Sequence, residues 1–345
     1  RGHGSAGLPA KKSMSLGWQR QRERGHRLLL ATIFGIALGL GRGVARALLY
    51  PIVWYFVVFS GPARRAARRY LARVLGRCPG PSDLIRHFYA FASIILDRAY
   101  LLTGQFHRFN ITIEGLEVLA ARLGEGQGCL LLGSHLGCFE VVRACGRGGG
   151  IEVKLVMHED NAPMIRAALA RLNPEAVTDV IPSGTAEAML RVQECLARGG
   201  VVGILGDRVV NPAHIVECPF LGRPAAFPAG TFRLASLLEA PVVLFFGLYL
   251  GGNRYAIHFE LLAERIERAR PDRAGAARYW TERYAERLEH YCRMAPYNWF
   301  NFYDYWGEED AVTTTGGAAS AARPKEAPAE MRRVHRSRVR RPPWG

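Results

Sequence analysis

The segment Leu130–Glu140 reads Leu-Leu-Leu-Gly-Ser-His-Leu-Gly-Cys-Phe-Glu and joins a histidine and a carboxylate to the end of an apolar run. His135 lies just past that run, and Glu140 follows five residues later, where a helix is expected to begin. A neutral imidazole accepts a proton at neutral pH, and a carboxylate fixes its tautomer and stabilises its charged form. Such a pair suits acyl transfer, in which the base takes the acceptor's proton while the acceptor oxygen attacks a thioester carbonyl.

The spacing of this pair is weak evidence when taken alone. Ten histidines and 30 acidic residues in 345 positions would give about one such spacing by chance, and one is found. What makes the match informative is its context, because it falls at a strand-to-helix junction between Gly133 and Gly137. A histidine that only bonds a backbone carbonyl in a loop remains the open alternative.

The elements that must position this pair follow from the hydrophobic pattern. The predicted strands are Asn110–Glu114, Cys129–Gly133, Val153–Met157, Val177–Ile181, Val201–Gly206, Pro241–Leu248 and Tyr255–Leu261. Helices are predicted near 137–146, 161–172, 184–198 and 228–239, and a longer one from Asp272 to Arg293. This alternation predicts an α/β fold with a central, mostly parallel sheet flanked by helices. Ligands bind such sheets at the carboxyl ends of the strands, and a second buried strand brings Asp207 and Arg208 to that same edge.

Two apolar runs near the start of the chain, Leu28–Gly41 and Ala47–Ser60, indicate contact with a membrane. As a helix each reaches about 21 Å, which is short of the roughly 30 Å hydrocarbon core. Joined into one span, they would place Arg42 and Arg46 near its middle, at a cost of several kcal/mol unless the charges snorkel. Two short helices that dip into one leaflet fit better. The flanking arginines favour an anionic cytoplasmic leaflet, and a buried helical hairpin remains the alternative.

The net charge of +16 lies mostly in the two ends of the chain. We predict disordered basic tails at 1–27 and 311–345, a membrane-associated helical region at 28–105 and an α/β domain at 106–310. Because the charge is not concentrated on a folded face, a nucleic-acid partner is disfavoured. The chain has no phosphate-binding P-loop motif, no G-x-G-x-x-G after a strand and no G-x-S-x-G. Histidine and cysteine spacings suggest no metal site, so neither a metal nor a cofactor is expected.

Further sequence blocks follow one another in the order of a known family. They are His135-x4-Glu140, Asp207 after the second buried strand, Phe220-Leu-Gly222 with the loop to Gly230, Ala240-Pro-Val, and the aromatic block Pro296–Trp306. With these blocks the chain resembles the lysophospholipid acyltransferase superfamily, in its bacterial branch of lipid A lauroyl/myristoyl-transferase-like proteins. It also resembles a predicted acyltransferase subgroup associated with aryl-polyene-type pathways. The resemblance covers about residues 28–306 and implies a glycerol-3-phosphate acyltransferase-like fold.

The resemblance implies a role for each residue of the first block. His135 would be the general base, a role typically worth about 10²–10⁴ in rate. Glu140 would orient His135 and stabilise its charged form. Backbone N–H groups at the start of the helix after Gly137 would bind the developing oxyanion, a contribution of roughly 3 kcal/mol.

Three further residues are expected to contact substrate. Asp207 and Arg208 would line the opposite wall, with Arg208 as a clamp for a phosphopantetheine or acceptor phosphate; a surface ion pair of Arg208 near Asp207 is the alternative. Arg208 also departs from the classical lipid A enzymes, so acceptor recognition is expected to differ. Asn161 matches a polar position that the family uses near the acceptor.

The resemblance also implies the reaction and its partners. It predicts transfer of a fatty or polyene acyl group from a thioester of acyl carrier protein or coenzyme A to a hydroxyl or amine of a membrane lipid or glycolipid. Acyl carrier protein is favoured as the donor because it is acidic and the basic N-terminal flank of this chain would attract it. The predicted location is the cytoplasmic face of a bacterial inner membrane. A non-catalytic acyl- or lipid-binding protein with the same fold and a thioester hydrolase are the alternatives.

Overall fold

The structure is a computed structural model that describes residues 27–141, 152–157, 179–211, 214–267 and 273–307. The described residues belong to one compact unit, which ends at Gly307. Apart from Arg27, the two predicted basic tails lie outside the described residues, and so do Asn161 and the predicted helix at 161–172.

A seven-stranded sheet forms the centre of the protein, with strand order β1-β9-β8-β2-β5-β3-β4. Every neighbouring pair in it is parallel except β8 and β9, which are antiparallel. The α/β fold with a mostly parallel central sheet is therefore confirmed. The strands of this sheet are β1 (Asn110–Glu114), β2 (Cys129–Gly133), β3 (Val153–Met157), β4 (Val180–Pro182), β5 (Val201–Leu205), β8 (Val242–Tyr249) and β9 (Arg254–Ala263).

Eight α-helices in the described part of the chain surround this sheet. They are α1 (Arg27–Leu40), α2 (Arg42–Phe59), α3 (Gly61–Leu75), α4 (Pro81–Leu102), α5 (Leu116–Gly124), α6 (Ala186–Ala197), α7 (Gly230–Leu238) and α8 (Arg273–Met294). Successive strand residues face opposite sides of a sheet. On β2, Leu130 and Leu132 accordingly join a core shared with α3, α7 and α8, whereas Leu131 joins one shared with α1, α4 and α5.

A small antiparallel hairpin, β6 (Ile215–Phe220) and β7 (Arg223–Pro228), lies outside the main sheet. The sequence predicted a turn-rich loop from Cys218 to Gly230, and this prediction was wrong because most of that stretch lies in the two strands. The turn residues Leu221 and Gly222 both have positive φ, at 51° and 79°. Two positive φ values in a two-residue turn match the twist of the flanking strands. Prolines are unusual in strands, which is why the hairpin was not predicted. They fit here because, among the described residues, each of these strands pairs on one side only, so a missing N–H on the other side costs no hydrogen bond.

Helix α1 coincides with the first apolar run, whereas α2 begins five residues before the second run and so contains Arg42 and Arg46. Helix α2 packs on α1 and α4. A stripe of residues four apart is buried along α2, namely Ala45, Leu49, Val53 and Val57. Among the described residues, α2 is the one helix long and apolar enough to cross a membrane by length and composition. Only 22% of that helix is buried inside the protein.

The two arginines between the apolar runs are bound to the body of the protein. Arg42 forms a bidentate pair with the buried Asp97 of α4, at 2.6 and 2.7 Å, and also donates to the Gly252 carbonyl. Arg46 Nη1 donates to the Tyr249 hydroxyl at 2.8 Å and to the Gly252 carbonyl at 3.0 Å. These contacts tie the start of α2 to α4 and to the β8–β9 turn.

Candidate active site

Strands β2 and β5 bring two functional side chains together at their carboxyl ends. The strands are parallel neighbours, and Gly133 is paired in register with Leu205. His135 and Asp207 each lie two residues beyond these paired positions, so both emerge at the same point of the sheet edge. The His135 Nδ1 lies 2.8 Å from Asp207 Oδ1. The sequence placed both residues at this edge but predicted Asp207 on the opposite wall as a substrate contact. The strand register instead brings the buried Asp207 into contact with His135.

The Asp207 carboxylate is buried completely and accepts hydrogen bonds from several donors. They are His135 Nδ1 at 2.8 Å, the His135 backbone N–H at 3.1 Å to both oxygens, Trp299 Nε1 at 3.0 Å and Asn301 Nδ2 at 2.8 Å. Burial alone would raise the pKa of Asp207. The hydrogen bonds that His135 and Asn301 donate and the positive charge of Arg208 outweigh it and hold that pKa well below its usual range. Asp207 is therefore a carboxylate that only accepts.

His135 is held as a neutral base. Because Asp207 can only accept, Nδ1 carries the ring proton, and the lone pair of the neutral imidazole lies on Nε2. Burial and the positive charge of Arg208 lower the pKa of His135, and they outweigh the opposite effect of Asp207. The side chain remains 20% exposed. No residue in the described part of the chain hydrogen-bonds Nε2.

Glu140 contacts a partner other than the one its spacing suggested. Its Oε2 lies 2.8 Å from Nε of Arg98 on α4, whereas Asp207 occupies the Nδ1 side of His135. The physical reason is the path of the chain, because Gly137 turns with φ +72° and is bridged to Gly247 on β8. That turn separates the His135 and Glu140 side chains and directs Glu140 towards α4. The structure thus differs from the predicted His135–Glu140 pairing.

Gly137 has a backbone role that no other residue could fill. Its φ is positive, and a Cβ at this position would lie 1.9 Å from the Gly247 carbonyl oxygen. The Gly137 N–H donates to the Asn298 carbonyl, and the Cys138 N–H donates to the Gly247 carbonyl, both at 2.8 Å. The first two amides from Gly137 onwards are therefore not available to bind an oxyanion. Helical backbone begins only at Glu140.

Residues 297–306, here called the closing segment, cover the site and complete it. The segment bonds the His135 backbone region on both sides, because the Phe300 N–H donates to the His135 carbonyl and Asn298 accepts from Gly137, both at 2.8 Å. It also supplies the Trp299 and Asn301 donors to Asp207. The sequence pattern did not indicate either donor to Asp207. A usable signal existed, since Asn301 is a polar residue inside an aromatic run.

Arg208 is held by neutral groups. Its Nε donates to Asn301 Oδ1 at 2.8 Å and its Nη2 to the Phe300 carbonyl at 3.1 Å. The guanidinium also lies over the Tyr303 ring, 5.9 Å from its centroid. Burial lowers the pKa of Arg208. The surface ion pair that was the alternative for Arg208 is not among the ion pairs of the described residues.

The remaining predicted features of the site can be stated briefly. Asn161 lies outside the described residues, so its role near the acceptor stays a prediction. Within the described ranges, no group of three or more histidine, cysteine, aspartate or glutamate side chains is arranged to hold a metal ion.

Comparison with known proteins gives one result that covers most of the chain. The sequence model of a family described as bacterial lipid A biosynthesis acyltransferase matches residues 21–318. This range includes β2, β5 and the closing segment, and therefore every described residue of the site. A comparison with curated proteins finds no match.

Proposed function

The chain belongs to the bacterial lipid A biosynthesis acyltransferase family, whose members are acyltransferases, and from this premise we propose its reaction in detail. It transfers a fatty or polyene acyl group from a thioester of acyl carrier protein or coenzyme A to a hydroxyl or amine of a lipid or glycolipid. The observation that carries the proposal is the 2.8 Å contact between His135 Nδ1 and the buried Asp207 carboxylate, which leaves Nε2 as the ring nitrogen that acts on substrate.

The proposed chemistry uses His135 first as a base and then as an acid. Nε2 takes the proton of the acceptor hydroxyl or amine while the acceptor atom bonds to the thioester carbonyl carbon. The resulting tetrahedral intermediate collapses, its carbon–sulfur bond breaks, and the departing sulfur takes the proton back from Nε2. Asp207 stabilises the imidazolium between these steps. Base catalysis of this kind is typically worth about 10²–10⁴ in rate.

Glu140 acts on His135 indirectly in this proposal. Its carboxylate pairs with Arg98, and Arg98 is one of the positive charges that lower the pKa of His135. Glu140 therefore offsets a positive charge near the base. The oxyanion would be bound by the amides of Phe139 and Glu140 at the start of the helical backbone, since helix N-termini leave their first N–H groups unpaired.

Arg208 is the residue we propose for the donor or acceptor phosphate. Two of its nitrogens are fixed by the closing segment, and among described residues Nη1 has no hydrogen-bond partner. A guanidinium fixed in this way can bind a phosphate oxygen without first losing its own freedom. Coenzyme A and the phosphopantetheine arm of a carrier protein both carry such a phosphate.

We further propose that the protein lies on the cytoplasmic face of the inner membrane through α1 and α2. Half of the large apolar side chains that are exposed in the described part of the chain belong to these two helices, including Trp54, Tyr55 and Val58. The opposite side of α2 packs on the protein, and its first turn is tied to Asp97 through Arg42. A helix fixed along one side suits one leaflet better than a full span.

The experiment that tests the reaction compares the wild-type protein with His135→Ala. Each is incubated with a fatty acyl thioester of carrier protein or coenzyme A and with membrane lipid extract, and products are identified by mass spectrometry. We expect an acylated lipid with the wild type and a loss of about 10²-fold or more in the variant. Full turnover by His135→Ala contradicts the mechanism. Free fatty acid alone identifies a hydrolase, and lipid retention without any product identifies a binding protein.

A further inference from the structure

One amide in the closing segment links the two charged residues that flank the base. Asn301 Nδ2 donates to Asp207 Oδ2 at 2.8 Å, while Asn301 Oδ1 accepts from Arg208 Nε at 2.8 Å. The side chain is buried, with 2% exposure. Only a side chain that both donates and accepts can make these two bonds at once, because Asp207 accepts and Arg208 only donates.

The groups that face His135 show why this bridge matters. Asp207 and Arg208 follow β5, and Arg98 approaches from α4 with Glu140 as its partner. Asp207 favours the charged imidazole, and both arginines favour the neutral one. The balance between them depends on how far each lies from the ring. Asn301 hydrogen-bonds Asp207 and Arg208, the two members of this set that are adjacent in sequence.

We propose that Asn301 is a positioning residue, which fixes Asp207 and Arg208 relative to His135 and thereby keeps the imidazole neutral and correctly oriented for proton transfer. Its effect on turnover rests on the proposed function. Its effect on the His135 ring rests on the hydrogen bonds to Asp207 and Arg208 and on the charges of these two residues, and is independent of the proposed function. Trp299 supports the same carboxylate oxygen through its indole N–H at 3.0 Å.

The first test is Asn301→Leu, which removes both bonds. Without the amide, Asp207 acts on His135 with less of its charge compensated, and Arg208 loses the bond that holds it near the ring. Both changes favour the imidazolium, so the acid limb of the kcat/KM profile should move to higher pH. We expect kcat/KM near the wild-type midpoint to fall about fivefold or more, which is the loss of neutral imidazole there when the midpoint rises by about one pH unit.

A matched control lies three residues earlier in the same segment. Asn298 is also buried, and its side chain makes two hydrogen bonds, to the Tyr249 N–H at 2.7 Å and to the Tyr249 carbonyl at 3.1 Å. Asn298→Leu should therefore lower the thermal midpoint while leaving the acid limb where the wild type has it. Asn301→Asp provides a graded comparison, because two carboxyl groups this close share a proton. The protonated carboxyl of this variant can still donate to Asp207 and accept from Arg208, so its acid limb should lie nearer to the wild type than that of Asn301→Leu.

A second measurement reports on the ring directly. The His135 imidazole is titrated by NMR in protein labelled at histidine, with His135→Ala identifying its signal. We expect the His135 midpoint to rise in Asn301→Leu, and to rise less in Trp299→Phe, which keeps an aromatic ring but lacks the indole donor. Trp299→Phe also provides the test if Asn301→Leu does not fold.

The proposal is overturned if the ring titrates alike in the wild type, Asn301→Leu and Trp299→Phe, since Asn301 would then act only on stability. It is also overturned if Asn298→Leu shifts the titration as much as Asn301→Leu does. Absence of acyl transfer by the wild type would instead contradict the proposed function. The titration would still show whether Asn301 affects the His135 ring.

Discussion

Asp207 is the residue on which the site geometry most depends, because it receives donors from His135 and from two residues of the closing segment. Its carboxylate orients the ring and compensates the charge that develops on it. The sequence suggested that Glu140 would do this, since a spacing along one segment is visible in a sequence. A contact between the ends of two strands depends on the register of their pairing, and that register is not visible in a sequence.

This difference leads to a direct comparison of Asp207→Asn with Glu140→Gln. Both changes remove one negative charge at nearly constant size. Asp207→Asn turns an amide N–H towards groups that are themselves donors, so we expect kcat/KM to fall about 10²–10⁴-fold. Glu140→Gln should cost less than about tenfold, because Arg98 and not His135 is its partner. A larger loss in Glu140→Gln than in Asp207→Asn would return the role of orienting carboxylate to Glu140.

At the scale of elements, the strands that carry the site were predictable. The predicted boundaries of β1, β2 and β3 match the structure, and β5 differs by one residue. Strands β2 and β5, which carry the site, are short and largely buried apolar runs with clear ends, so their positions can be predicted from sequence. The β6–β7 hairpin was missed because prolines are unusual in strands. Trp299 and Asn301 were missed because their partner Asp207 lies more than 90 residues away along the chain.

The junction between α4 and the closing segment contains a buried histidine with a testable consequence. His87 is fully buried among aromatic rings, and Nδ1 lies 3.1 Å from the Tyr297 carbonyl, to which it donates. Its stacked neighbour Phe300 lies 5.7 Å away between ring centroids. Burial lowers the pKa of His87 to about 4. Between about pH 4 and pH 6.5, His87 is therefore neutral in the native protein but protonated in the unfolded chain.

Stability should accordingly fall as the pH falls below the unfolded-state pKa of about 6.5, and the loss should level off near pH 4. His87 contributes roughly 3 kcal/mol to this loss. His87→Asn keeps a donor for the Tyr297 carbonyl but cannot titrate, so its free energy of unfolding should change less between pH 7 and pH 4. Urea unfolding at several pH values measures this, with the exposed His107→Asn as control. Equal pH dependence in wild type and His87→Asn would show that His87 plays no part.

At the scale of the whole molecule, α2 has exposed apolar side chains and the next helix, α3, has exposed arginines. Trp54 and Val58 are about half exposed and lie four residues apart on the same side of α2. The next helix begins two residues after α2 ends, and Arg65 and Arg68 on it are exposed. Aromatic and aliphatic groups beside arginines suit the boundary between acyl chains and anionic headgroups.

Trp54→Glu/Val58→Glu should therefore weaken binding to vesicles that contain phosphatidylglycerol by roughly tenfold or more, because each side chain loses apolar burial in the membrane. Vesicle flotation measures the bound fraction. Leu190→Glu/Leu237→Glu is the matched control, since both leucines are exposed but lie on α6 and α7. Unchanged binding in the α2 variant, or an equal loss in the control, would rule out this surface. Resistance of the wild type to extraction at alkaline pH would instead indicate a spanning helix.

The late position of the closing segment has a consequence for how the protein is made. His135 and Asp207 leave the ribosome long before Asn301, which is 94 residues beyond Asp207. Until the closing segment is synthesised and docks, the Asp207 carboxylate lacks its hydrogen bonds from Trp299 and Asn301. A nascent or prematurely terminated chain would thus carry both reactive groups without these hydrogen bonds and should consume activated acyl chains more slowly than the finished protein.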